Sequence, residues 1–163
     1  MLRLCLFLLL ALAATSAPAS VLPGECSQRF WQLAGTPASN FTSAEQAVLN
    51  EVKAILRSPE LVVIRQAYID KVAVSVKVGR RLIQYEPGLP ASGMTMFGED
   101  GFLVGREAFV SEEELQKTLL HETYRLHMSQ IGRGAAASQE GVANETAAAF
   151  SFAERAYNSL SRR

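Results

Sequence analysis

The spacing of apolar and polar positions changes repeatedly along this chain, and each change marks a new element. Ala44, Val48, Val52, Ile55 and Leu56 recur at helical spacing on one face. Thr42-Ser43-Ala44-Glu45 in front of them is a capping box, with the Thr oxygen accepting from backbone N–H groups and the Glu reaching back. A helix is expected from there to about Arg57. Ser58-Pro59-Glu60 predicts a second start, with Ser as N-cap, Pro in the first turn and an acid near the positive end of the dipole. That helix should run to about Ile69.

The period then shortens to two. Val72, Val74, Val76 and Val78 alternate with Ala73, Ser75 and Lys77, as on a half-buried strand. Gly79-Arg80 supplies a turn, and Arg81 to Glu86 returns as the second strand of a hairpin. Pro87 to Gly93 reads as a loop. Met94 to Phe97 and Phe102 to Val104 are short strands around the turn Glu99-Asp100-Gly101. Ser111-Glu112-Glu113-Glu114, a second capping box, opens a helix from about Glu112 to Ile131, stopped by Gly132-Arg133-Gly134. A last, Ala-rich helix spans about Gln139 to Leu160. This order predicts an α+β fold in which helices pack on a small antiparallel sheet built from the hairpin and the short strands.

The helix after Ser111 carries an unusual mixture. Leu115, Leu119 and Leu126 share one side, while Leu120, Tyr124 and Met128 cover another, so most of its circumference is apolar and it should be buried. Thr118, His121, Glu122 and Arg125 fall within one arc of about 100°, at 100° per residue. Aligned polar groups in such a setting need partners, since each buried, unpaired one costs about 1–3 kcal/mol. Arg125 is expected to bridge either Glu145, beside Ala148, Ala149, Phe152 and Ala156 on the last helix, or Glu122 one turn away.

His121-Glu122-Thr123-Tyr124-Arg125, followed by Asn144-Glu145-Thr146-Ala147-Ala148, resembles the active-site pattern of thermolysin-like zincins (gluzincins). In H-E-x-x-H two imidazoles share a helix face and the intervening Glu is the general base. A third ligand, a Glu in an Asn-Glu context, comes from the next helix of those enzymes. The stretch from about Ser111 to Tyr157 is also similar to zincin-like domains that end bacterial polymorphic toxins. The resemblance implies a zincin-like helix pair at the C-terminus, zinc ligands at His121 and Glu145, and a general base at Glu122. Arg125 stands where the second His belongs. A guanidinium cannot ligate a metal, stays protonated and repels a dication, whereas it holds carboxylate or phosphate well. With two protein ligands, zinc would be held weakly unless Asp70, Asp100 or a neighbouring Glu came close. His127 lies too far round the helix from His121 to share one metal with it.

Composition narrows the setting. Met1-Leu2-Arg3, the apolar run Leu4 to Ala14 and Ala17-Pro18-Ala19 form the expected signal peptide, residues 1–19. The run is too short for a bilayer span, so a secreted or periplasmic protein without a membrane anchor is expected. Residues 20–41, rich in Pro, Gly, Ser and Ala around Phe30 and Trp31, read as a linker, and residues 42–163 as one domain. Cys5 leaves with the leader, so Cys26 has no intramolecular partner. The chain has 16 basic and 16 acidic residues, a balance that disfavours a nucleic-acid partner.

Three functional readings follow. The first is a secreted hydrolase of zinc-metallopeptidase descent, a toxin or effector with a protein or peptide substrate and an immunity partner, using His121, Glu122, Arg125 and Glu145. The second is a non-catalytic secreted binding or structural protein, in which Glu122, Arg125 and Glu145 form a buried ion-pair network. The third is a metal-free nuclease toxin.

Overall fold

A computed structural model describes residues 41–96, 98–132 and 139–161. The expected signal peptide, residues 20–40 of the linker-like segment with Cys26, Phe30 and Trp31, and Arg133-Gly134 lie outside these residues. The elements are α1 (Ser43–Leu56), α2 (Glu60–Asp70), β1 (Val74–Val78), β2 (Arg81–Tyr85), β3 (Gly93–Met96), β4 (Gly101–Val104), a 3₁₀ turn (Arg106–Phe109), α3 (Glu112–Gln130) and α4 (Gln139–Ser161). The α+β class read from the sequence holds, with two long helices closing the chain.

Local chemistry explains the boundaries. Thr42 and Glu45 form the reciprocal capping box of α1, and Ser111 caps α3 by accepting from the Glu114 N–H. Helix α2 ends at Lys71 with φ 59, a left-handed cap that releases the chain into β1. Gly79 turns the hairpin at φ 58, where a side chain would be strained.

The sheet has the order β1-β2-β4-β3 and is mixed. Strands β1/β2 and β3/β4 are antiparallel, but β2 and β4 run parallel, Ile83 opposite Phe102. This corrects the all-antiparallel sheet expected above. After β2 the chain passes the neighbouring position, forms β3 on the outside and turns back, so β4 enters the gap in the direction of β2. The crossover that a parallel pair requires is β3 itself.

Register sorts the side chains into two faces. Val76, Ile83, Phe102 and Thr95 form one row across the sheet; Val74, Tyr85, Val104 and Gly93 form the next. These rows face the helices. On the other face, Ser75, Lys77 and Met94 are exposed while Leu82, Gln84 and Leu103 are half-buried, the usual division of a sheet covered on one side. Helix α2 covers β1 and β2, and α3 covers β3 and β4 while also packing on α1 and α4. Val48, Val52, Ile83, Phe102, Leu119, Leu120 and Phe152 are wholly inaccessible, each contributing about 1.5–3 kcal/mol of burial.

Charged pairs tie the layers together. Arg81, fully buried, grips Glu51 of α1 at 2.6 and 3.1 Å. Lys117 of α3 meets the buried Glu154 of α4 at 2.7 Å and Glu113 at 2.6 Å. Arg155 of α4 reaches Glu45 of α1 at 2.5 Å. None of these partnerships was evident from the sequence.

Candidate functional site

Helix α3 is buried along Leu115, Leu119, Leu120 and Leu126, and three members of the predicted polar stripe, Thr118, His121 and Glu122, are buried with it, while the fourth, Arg125, is half-buried. The structure brings this stripe against the helix-facing side of β3. Thr95 donates its hydroxyl hydrogen bond to Glu122 Oε2. Gly93 sits over the same carboxylate, so closely that an added Cβ would lie 2.8 Å from Glu122 Oε1 and 2.9 Å from Thr118 Cγ2. Strand β3 therefore offers only a glycine and a threonine to a layer that is otherwise apolar, and the room is filled by Glu122.

His121 is 7% exposed and Glu122 3%. His121 Nε2 lies 3.9 Å from Glu122 Oε1, beyond hydrogen-bonding distance. The imidazole packs on Phe150 of α4 with ring centroids 4.3 Å apart, and its Nδ1 is buried without a hydrogen-bond partner. Burial, assisted by the Arg125 charge, pushes the His121 pKa down to about 3. The ring is therefore neutral at physiological pH and makes no ion pair with Glu122. Burial pushes Glu122 the other way, above the usual carboxylate range, against the opposing pull of the Thr95 hydrogen bond and Arg125. Burial thus pushes two adjacent groups in opposite directions, and strongly perturbed titratable groups of this kind cluster at functional sites.

One turn further along α3, a cavity of about 290 Å³ opens. Tyr124, Arg125 and Met128 line it from α3, and Glu145 and Ala148 from α4. Thr42 and Glu45 close it at the start of α1. Arg125 and Glu145 thus share a cavity, as their spacing suggested, whereas His121 and Glu122 are not among its lining residues. Burial opposes ionisation of Glu45, but the Thr42 N–H and Arg155 outweigh it and hold the carboxyl below its ordinary range.

The remaining candidates are dispersed. His127 is half-buried; burial and the nearby Arg80 lower its pKa, with Glu51 opposing. Asp70 accepts from Gln66 on its own helix, and Asp100 accepts from Gln130 and lies 3.8 Å from Arg81. Among the described residues no three His, Cys, Asp or Glu side chains are grouped to hold a metal ion. The donor set around His121 does not fit zinc: the imidazole is enclosed by Phe150, the carboxylate beside it is engaged by Thr95, and a permanent cation stands one turn away.

Thr95, Gly93 and Phe150 were missed in the sequence. The signal was there for the first two, since small residues two apart on a strand otherwise made of methionines mark a face approached closely by something else. Strand β3 is also an outer strand of the sheet. No described helix is long and apolar enough to cross a membrane. Comparison with protein-family models, curated proteins and solved structures gave no match.

Proposed function

We propose that the protein is a secreted hydrolase of metallopeptidase descent that acts on a protein or peptide without zinc. The observation that carries this reading is the buried His121–Glu122 pair, seated under Gly93 and Thr95 of an outer strand. Glu122, its pKa raised by burial, takes the proton of an attacking water. The water oxygen bonds to the substrate carbonyl carbon, and Arg125 supplies the fixed positive charge that faces the developing oxyanion. Glu122 then passes the proton to the leaving amine as the carbon–nitrogen bond breaks, with the neutral His121 packed beside the carboxylate at 3.9 Å. An extended substrate lying along β3 would present its backbone to this pair. Export by the leader, action on other cells and protection by an immunity partner belong to the same proposal, supported by the leader pattern and the toxin-domain resemblance.

The second reading, a non-catalytic secreted binding protein, is favoured by one fact: His121 and Glu122 are nearly inaccessible and do not line the cavity. A nuclease gains no such support, because Arg125 is accompanied in the cavity by Glu45 and Glu145, which repel phosphate. Expression in a bacterial host separates the readings. The hydrolase reading expects growth inhibition by the wild type, lost in both Glu122→Gln and His121→Ala at equal protein level. Equal inhibition by all three, or none by any, favours the binding protein.

A further inference from the structure

We propose that Thr95 is the positioning residue for Glu122: its hydroxyl hydrogen bond holds one carboxylate oxygen on β3 and leaves the other turned toward Gly93 and His121. The inference rests on the hydrolytic reading for its effect on turnover, while the hold itself belongs to the fold and is read separately.

Strand β3 meets the carboxylate at both oxygens. Thr95 donates to Oε2, and Oε1 lies against the backbone of Gly93, 2.8 Å from where a Cβ would stand. His121 Nε2 is 3.9 Å from Oε1, too far for a hydrogen bond to fix that oxygen. Thr95 is 6% exposed and Glu122 3%, so bulk water does not compete for the bond and does not replace it when it is lost. Thr95 is also β-branched and has few χ1 rotamers, which keeps its hydroxyl aimed at Glu122.

Gly93 and Thr95 also form the open edge of the strand. Gly105 donates to the Ser92 carbonyl at 2.8 Å, and the antiparallel register pairs Gly93 with Val104 and Thr95 with Phe102. Hydrogen-bonded and non-hydrogen-bonded pairs alternate along such a ladder. Ser92, Met94 and Met96 therefore bond to β4, whereas Gly93 and Thr95 turn their N–H and C=O groups outward. The other side of β4 agrees: Leu82 donates to the Asp100 carbonyl at 2.8 Å and Glu86 to that of Val104 at 3.0 Å, so Val104 serves β2. An extended peptide pairing with β3 engages the backbone of Thr95, while the Thr95 side chain holds the base. Binding and turnover thus draw on different groups of one residue, and removing the hydroxyl separates them.

Thr95→Val keeps the shape and suits a strand but removes the donor; Thr95→Ser restores it. Thr95→Ala serves in place of the valine protein if that one does not fold. With a peptide that the wild type cleaves, Thr95→Val should lower kcat at least about 10-fold, as expected for a misplaced reacting group, with KM changed less than about 2-fold. Thr95→Ser should recover most of the rate. A loss carried by KM, an unchanged kcat in Thr95→Val, or no recovery in Thr95→Ser overturns the proposal. The hold is read without turnover from nuclear Overhauser effects between the Glu122 γ protons and the His121 ring, which should persist in Thr95→Ser and weaken in Thr95→Val. Identical effects in all three proteins overturn the proposal even where cleavage is observed. No cleavage by the wild type removes the hydrolytic reading alone, and the Overhauser comparison then decides whether Thr95 holds Glu122.

Discussion

Protonation of His121 should make the fold acid-sensitive by an amount that can be worked out. Its pKa is about 3 in the folded protein against an ordinary value of 6.5. A histidine with a depressed folded pKa binds fewer protons folded than unfolded in the window between those values. Its neutral form is accommodated fully above pH 6.5, and stability is lost as pH falls towards 3. Each pH unit inside the window costs about 1.4 kcal/mol, so lowering the pH from 7 to 5 should remove about 2 kcal/mol through this residue. At pH 5 the folded protein is still well above its own titration, so the figure is governed by the unfolded chain. His121→Asn keeps a polar side chain without the titration. Urea unfolding of both proteins at pH 7 and pH 5 isolates the effect, because His127 and the carboxylates titrate in both. The stability advantage of wild type over variant should shrink by about 2 kcal/mol between the two pH values. A change below about 0.5 kcal/mol would mean that His121 is solvated or already protonated, and the reasoning from its burial would be refuted.

Other expectations follow from the same geometry. Lys117→Met leaves Glu154, 3% exposed, without its cation and should cost about 3 kcal/mol; adding Glu154→Leu should restore most of it, as thermal unfolding of the single and double variants would reveal. Gly93→Ala drives a Cβ into Glu122 and Thr118 and should destabilise by about 1–3 kcal/mol, again read by unfolding; an unchanged protein would mean that β3 and α3 are less closely apposed.

Much of the fold was legible because its boundaries are set by local chemistry. The capping boxes at Thr42 and Ser111, the alternation around Val76 and the turn at Gly79 each act within a few residues, and the observed ends fall close to the expected ones. The parallel pairing of β2 with β4 was not legible. It depends on the loop after Tyr85 carrying the chain past the neighbouring position, and nothing in Pro87 to Gly93 specifies that path. The candidate site divides in the same way. That Thr118, His121 and Glu122 would be buried together followed from helical periodicity alone. Their partners did not: Thr95 and Gly93 meet Glu122 through strand register, and Phe150 meets His121 through the rotation of α4. That rotation also matches Lys117 with Glu154, an interhelical pair that sequence reasoning did not anticipate, and it brings Arg125 and Glu145 to one cavity.

Peptide hydrolysis in the presence of a metal chelator tests the central proposal most directly, that Glu122 serves as base in a site where Arg125 supplies the positive charge. Mass spectrometry of a peptide pool incubated with purified protein should reveal cleavage by the wild type in chelator, falling at least about 100-fold in Glu122→Gln, the lower range of a positioned general base. Cleavage that stops in chelator and returns with zinc, or that proceeds equally in the Glu122→Gln protein, would contradict it.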